Sequence, residues 1–86
     1  MPKKEDLIRK LCSKPIPKNF TMRELDVLMA KCSCDKYQGG RGSSVAYVHR
    51  SEKQETLQFD MPHPGNELYS YQIKMVIKFL EKIGEK

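Results

Sequence analysis

From Met22 to Cys32, apolar residues recur at Leu25, Leu28, Met29 and Cys32, the i, i+3, i+4, i+7 spacing of one buried helical face. Thr21 followed by Glu24 forms a capping box in front of them, in which hydroxyl and carboxylate each satisfy a free N–H at the helix start. The spacing predicts a helix over Met22–Cys32. The period then changes to two. Asp35–Gln38 reads as an edge strand. Over Ser43–Arg50, Val45, Tyr47 and His49 alternate with Ala46 and Val48. After a polar turn at Ser51–Gln54, Leu57, Phe59 and Met61 alternate with Thr56, Gln58 and Asp60 over Glu55–Met61, completing an antiparallel hairpin.

Pro62 and Pro64 block continuation of that strand, and Gly65–Asn66 turns the chain. Ser70 is placed to cap a final helix running to about Ile83, with Gly84 as its stop. Its core stripe reads Ile73, Val76, Ile77 and Leu80, beside a basic ridge of Lys74, Lys78 and Lys82. At the other end, Lys3 to about Ser13 forms a short helix with Leu7, Ile8, Leu11 and Cys12 on one side. Pro15 and Pro17 end it and stiffen a connector through Lys18–Asn19. A helix this short is marginal alone in water, so it is expected to dock on the remainder. The chain divides into residues 1–18, an N-terminal helix with a Pro-containing connector, and 19–86, the main domain.

At 86 residues with 38% hydrophobic positions, the chain has material for one modest core. No apolar run approaches the roughly 18 residues of a membrane span, and no signal-peptide core follows the charged N-terminus, so a cytoplasmic protein is expected. The net charge is +5. Residues 1–18 hold six Lys/Arg and two acids, leaving ten basic and nine acidic residues after them. Lys3, Lys4, Arg9 and Lys10 are therefore expected on the surface as a secondary phosphate contact, the alternative being a solvated lysine-rich helix. Cys12, Cys32 and Cys34 are an odd number without a disulfide-framework spacing. Cys32–Ser33–Cys34 with His49 and His63 matches no common zinc spacing, and Cys32 falls on a core face; no metal or cofactor is expected.

The chemistry concentrates in two segments. Gly39–Gly40–Arg41–Gly42–Ser43–Ser44 runs straight into the strand beginning at Val45, and glycine lets backbone N–H groups approach a phosphate closely. Some twenty residues later, Met61–Pro62–His63–Pro64–Gly65–Asn66–Glu67–Leu68 precedes the last helix. Gly42, Ser43 and Ser44 are candidates to hold a phosphate, and Arg41 to balance its charge; the alternative is a plain hairpin turn with polar tips. His63 is the candidate acid-base group. Lys74 could face the same phosphate, whereas Lys78 and Lys82 read as a solvated helix face; Tyr47 and Tyr71 could stack on bases, the alternative being partly buried tyrosines. His49, near a strand end, reads as a sheet-surface residue.

The order of these features resembles the HicA family, bacterial ribonucleases that cleave messenger RNA and are held inactive by a HicB antitoxin. The resemblance covers about Phe20 to Ile83. His63–Pro64–Gly65–Asn66–Glu67–Leu68 is similar to the family's His-Gly-x-x-Glu-Leu loop, and Tyr71–Gln72–Ile73–Lys74 matches the start of its last helix. The order of the predicted elements already reads as an α+β fold of the double-stranded-RNA-binding type, α-β-β-β-α with a three-stranded antiparallel sheet, here preceded by an extra N-terminal helix. The resemblance implies a messenger-RNA endonuclease of metal-independent chemistry, with RNA lying against the sheet and a HicB-like antitoxin as partner. The chain departs from the family at one place. The usual Gly-Ser-His motif reads Gly42–Ser43–Ser44, so Ser44 stands where the family has its catalytic histidine. In this respect the chain resembles a branch with a histidine-less turn before a Pro-His-Pro loop. A serine hydroxyl does not titrate near neutral pH, so a non-catalytic RNA-binding or antitoxin-binding module is the alternative. A third reading, from a different class, is a structural protein that self-associates through its first helix.

Overall fold

The computed structural model of the chain describes residues 3–38, 44–62 and 65–85. Among these residues the elements run α1 (Lys4–Leu11), α2 (Met22–Lys31), β1 (Cys34–Gln38), β2 (Ser44–His49), β3 (Thr56–Asp60) and α3 (Ser70–Lys82). The protein is thus α+β, with three helices, a three-stranded antiparallel sheet and the order α-α-β-β-β-α.

α2 begins as its sequence dictates. Thr21 Oγ1 accepts from the Glu24 N–H at 3.2 Å, and Glu24 Oε1 accepts from the Thr21 N–H at 3.1 Å. Leu25, Leu28, Met29 and Cys32 are all buried. The sheet has the order β1-β2-β3, with Cys34 opposite His49, Gln38 opposite Val45, Ser44 opposite Asp60 and Val48 opposite Thr56. Alternation along the strands puts Val45, Tyr47, Leu57 and Phe59 into the core shared with the helices. It leaves Tyr37, Ala46, Val48 and Gln58 on the other face.

α3 starts one residue away from the expected place. Tyr69, not Ser70, is its N-cap, because the side chain of Gln72 reaches back and its Oε1 accepts from the Tyr69 N–H at 2.9 Å. Its buried stripe is also rotated from the expected one. Gln72, Ile73, Val76, Phe79 and Leu80 are buried, and Ile77 packs only at the margin. The helix ends in a Schellman arrangement at Gly84, whose φ of 80° lies in the left-handed region that favours glycine. There the Glu85 N–H donates to Leu80 O at 2.9 Å and the Gly84 N–H to Glu81 O at 3.2 Å.

α1 docks as its short length requires. Leu7 and Leu11 are buried in the same cluster as Phe20, Leu25 and Ile73. Two ion pairs fix it: Lys10 Nζ meets Glu24 Oε2 at 2.8 Å, and Lys4 Nζ meets Glu85 Oε1 at 2.9 Å. The connector after α1 therefore joins parts of one core.

Leu11 has no exposed surface. Leu11→Ala should lower the unfolding free energy by about 3 kcal/mol, a large part of the 5–15 kcal/mol typical of a domain. Denaturant unfolding followed by circular dichroism should keep one transition at a lower midpoint. Separate melting of α1 would contradict the shared core. Burial favours the neutral form of the Glu24 carboxyl, but the Lys10 ammonium and the Thr21 N–H outweigh it and hold the group below its ordinary value. The resulting stability is present above the ordinary glutamate pKa of about 4.3 and is lost as pH falls through the lowered value. Glu24→Gln should cost about 1 kcal/mol at neutral pH, the ion pair being partly screened, and the difference should close in acid. A gap that stays constant down to about pH 2 would disprove this linkage.

Candidate functional site

Ser44 opens β2 directly across from Asp60, the last residue of β3. The start of β2 and the end of β3 are therefore neighbours at one end of the sheet. Arg41, Gly42, Ser43 and His63 lie outside the described residues, but their flanks are fixed. Pro62 is buried. Beyond the loop, the Leu68 N–H donates to Phe20 O at 2.8 Å and the Met22 N–H donates to Asn66 O at 2.7 Å. A bridge between Thr21 and Glu67 completes this attachment to the start of α2.

The first turn of α3 is tied to the same end of the sheet. Gln72 Nε2 donates to the carbonyl of Asp60 at 2.6 Å. Tyr71 then stands outward, 56% exposed, with its ring stacked on that of Tyr69 at 6.0 Å between centroids and 24° between planes. Lys74 is exposed one turn further on. Ser44, the flanks of the His63 loop, Tyr71 and Lys74 are thus held by elements that Gln72 and the strand pairing join. His49 sits at the opposite end of β2, partly buried and opposite Cys34.

Tyr47 does not belong to this group. The expectation that it stacks on bases fails, because its ring is only 1% exposed, on the core face of β2. Its hydroxyl donates to Asp26 Oδ1 at 2.6 Å, and burial together with that carboxylate pushes the phenol pKa up. Asp26 also holds Lys36 at 3.1 Å. Helical periodicity gave no signal for this role of Asp26, whereas Gln72 stands at the third helical position, where a capping box places Glu or Gln.

The charges are also rearranged from their linear distribution. Lys4 and Lys10 do not stand free as phosphate contacts: Glu85 and Glu24 hold them, while Arg9 lies 3.7 Å from Asp6. On the outer side of the sheet, Arg50 is engaged by Asp35 at 2.7 Å. Among the described residues that face carries Asp35 and Asp60 against Arg50, so these residues make no cationic bed on which RNA could lie. Lys74, Lys78 and Lys82 are exposed, and none has an ion pair among the described residues.

Cys32 and Cys34 are buried, and burial pushes their thiols up to about 12 and about 11, far from a ready thiolate. Among the described residues, no three His, Cys, Asp or Glu side chains are grouped to hold a metal ion. No helix among them is long and apolar enough to cross a membrane. No protein-family model matches the chain, and neither a curated protein nor a solved structure matches it.

Proposed function

We propose that this protein is a HicA-like toxin, an endonuclease that cleaves messenger RNA and is neutralised by a HicB-like antitoxin. In this reading its fold is of the double-stranded-RNA-binding type with α1 added. The observation that carries the proposal is the pairing of Ser44 with Asp60. It brings the strand start that follows Gly42–Ser43 in sequence beside the strand end that precedes His63, which supports matching the two resembling motifs to each other. Arg41 and the Gly42–Ser44 segment would receive a phosphate, Lys74 would approach it from α3, and Tyr71 would offer a ring to a base.

Cleavage without a metal requires activation of a 2′-hydroxyl and protonation of the leaving oxygen, and His63 is the residue suited to moving those protons. Ser44, where the family has histidine, would act as a hydrogen-bond donor to phosphate only. That substitution favours a second reading, a catalytically silent RNA-binding or antitoxin-binding module on the same fold.

Purified protein incubated with a transcript in the presence of a chelator separates the two. The toxin reading expects strand scission, with His63→Ala slowing it on the order of 10²-fold or more. Scission unchanged within about threefold would remove His63 from the chemistry. Salt-sensitive RNA binding with no scission would establish the silent module instead.

A further inference from the structure

We infer that the outward face of α3 is a track for one unpaired RNA strand, with successive phosphates on Lys74, Lys78 and Lys82 and a base on Tyr71. The inference rests on the RNA-binding reading above and extends it to Lys78 and Lys82, one and two turns beyond the candidate site.

Three observations support it. The three lysines recur every fourth residue and are all exposed. At 1.5 Å of rise per residue they stand about 6 Å apart along one line, comparable with the step between neighbouring phosphates of one strand. Like charges at i,i+4 repel, and no acid among the described residues pairs with any of them, although Glu81 flanks the row. Lys4, Lys10, Lys36 and Arg50 all have carboxylate partners, so α3 holds an unneutralised cationic row that a polyanion would complement.

The second observation is aromatic. Tyr71 and Met75 share this stripe, 56% and 36% exposed, on the side of the helix opposite Ile73, Val76 and Leu80. An exposed ring beside a cationic row suits an unstacked base. The third is geometric. Duplex RNA is recognised by its shape, through contacts that span successive grooves, whereas this row is one line along one helix. A single strand fits; a duplex or an acidic protein segment fits less well, since neither uses both the line of charge and the ring.

The test measures anisotropy of a labelled, unstructured oligouridylate and of an RNA duplex of equal length, from about 50 to about 200 mM salt. The wild-type protein should bind the single strand at least about tenfold more tightly than the duplex. Each single-strand phosphate contact contributes about 0.7 to the log–log salt slope. Lys78→Gln with Lys82→Gln should therefore lower the slope by about 1.4 and weaken binding about twentyfold at about 0.1 M salt. Tyr71→Ala should weaken it at least about fivefold while leaving the slope unchanged. Lys31→Gln, which removes an exposed lysine at the end of α2, should change neither quantity, and Lys78→Arg with Lys82→Arg should keep the slope. Wild-type RNA binding with an unchanged slope in the Lys78→Gln, Lys82→Gln protein would overturn the track and leave the RNA reading standing. Equal affinity for duplex, or displacement of the RNA by polyglutamate of equal charge, would overturn the single-strand assignment in favour of duplex or an acidic protein. No RNA binding by the wild-type protein would remove the RNA reading itself.

Discussion

Gln72 is the one buried polar side chain among the described residues, and its amide works in two directions. It donates to the last carbonyl of β3 and accepts from the first N–H at the cap of α3. A buried amide left unpaired costs about 1–3 kcal/mol, so any shift of α3 along or around its axis is opposed by the loss of both bonds. Once the start of the helix is fixed in this way, its 3.6-residue period sets which residues face outward. Tyr71, Lys74, Lys78 and Lys82 owe their alignment to a glutamine that points away from them. The core stripe follows from the same constraint: with Gln72 turned inward, Phe79 falls on the buried side and Ile77 moves to its margin.

The distribution of charge is a second consequence of folding rather than of composition. In the linear chain most of the positive excess lies in residues 1–18. In the folded chain α1 uses that charge to dock, with Lys10 on the carboxylate that caps α2 and Lys4 on the residue that follows the end of α3. Glu24 therefore serves as helix cap and as anchor for α1, which is why its carboxyl is held low despite the burial that opposes ionisation. The cations left without partners include a row on α3 that is nearly lost in a count of the whole main domain, where acids and bases almost balance.

What the sequence made legible was whatever local period and local capping decide. The three helices, the two-residue alternation of β2 and β3, the Thr21–Glu24 box and the Gly84 stop all follow from neighbours within one helical turn or one strand. The features it hid depend on partners distant in the chain. Tyr47 looks like any strand tyrosine until Asp26, 21 residues earlier, takes its hydroxyl. Ser70 looks like the better cap until Gln72 closes the turn from inside. Of the candidate site, the adjacency of Ser44 to the end of β3 was implied by the hairpin, whereas the absence of a cationic bed among the described residues of the open sheet face was not. That required knowing which acids the strand register places there.

The Ser44–Asp60 pair also constrains how an anion could be held. Asp60 is exposed, and its carboxylate would repel a phosphate at about 4 Å by about 1 kcal/mol in water and by more where water is excluded. A phosphate at this end of the sheet is therefore favoured only where cations from neighbouring elements outweigh that carboxylate. For the proposed RNA ligand this would draw the backbone of a bound strand toward α3 and away from the sheet face. In the proposed reading the binding and chemical parts of the protein then rest on separate supports. Binding would depend in part on a helix set by Gln72, and acid-base chemistry on His63, whose described flanks are the buried Pro62 and the segment tied by the Leu68–Phe20 hydrogen bond. Serine rather than histidine at position 44, at the start of β2, leaves the row on α3 untouched. On this proposal the same scaffold would grip RNA with or without cutting it, and the catalytic and the silent readings differ by protons at one end of the sheet and share all of their packing.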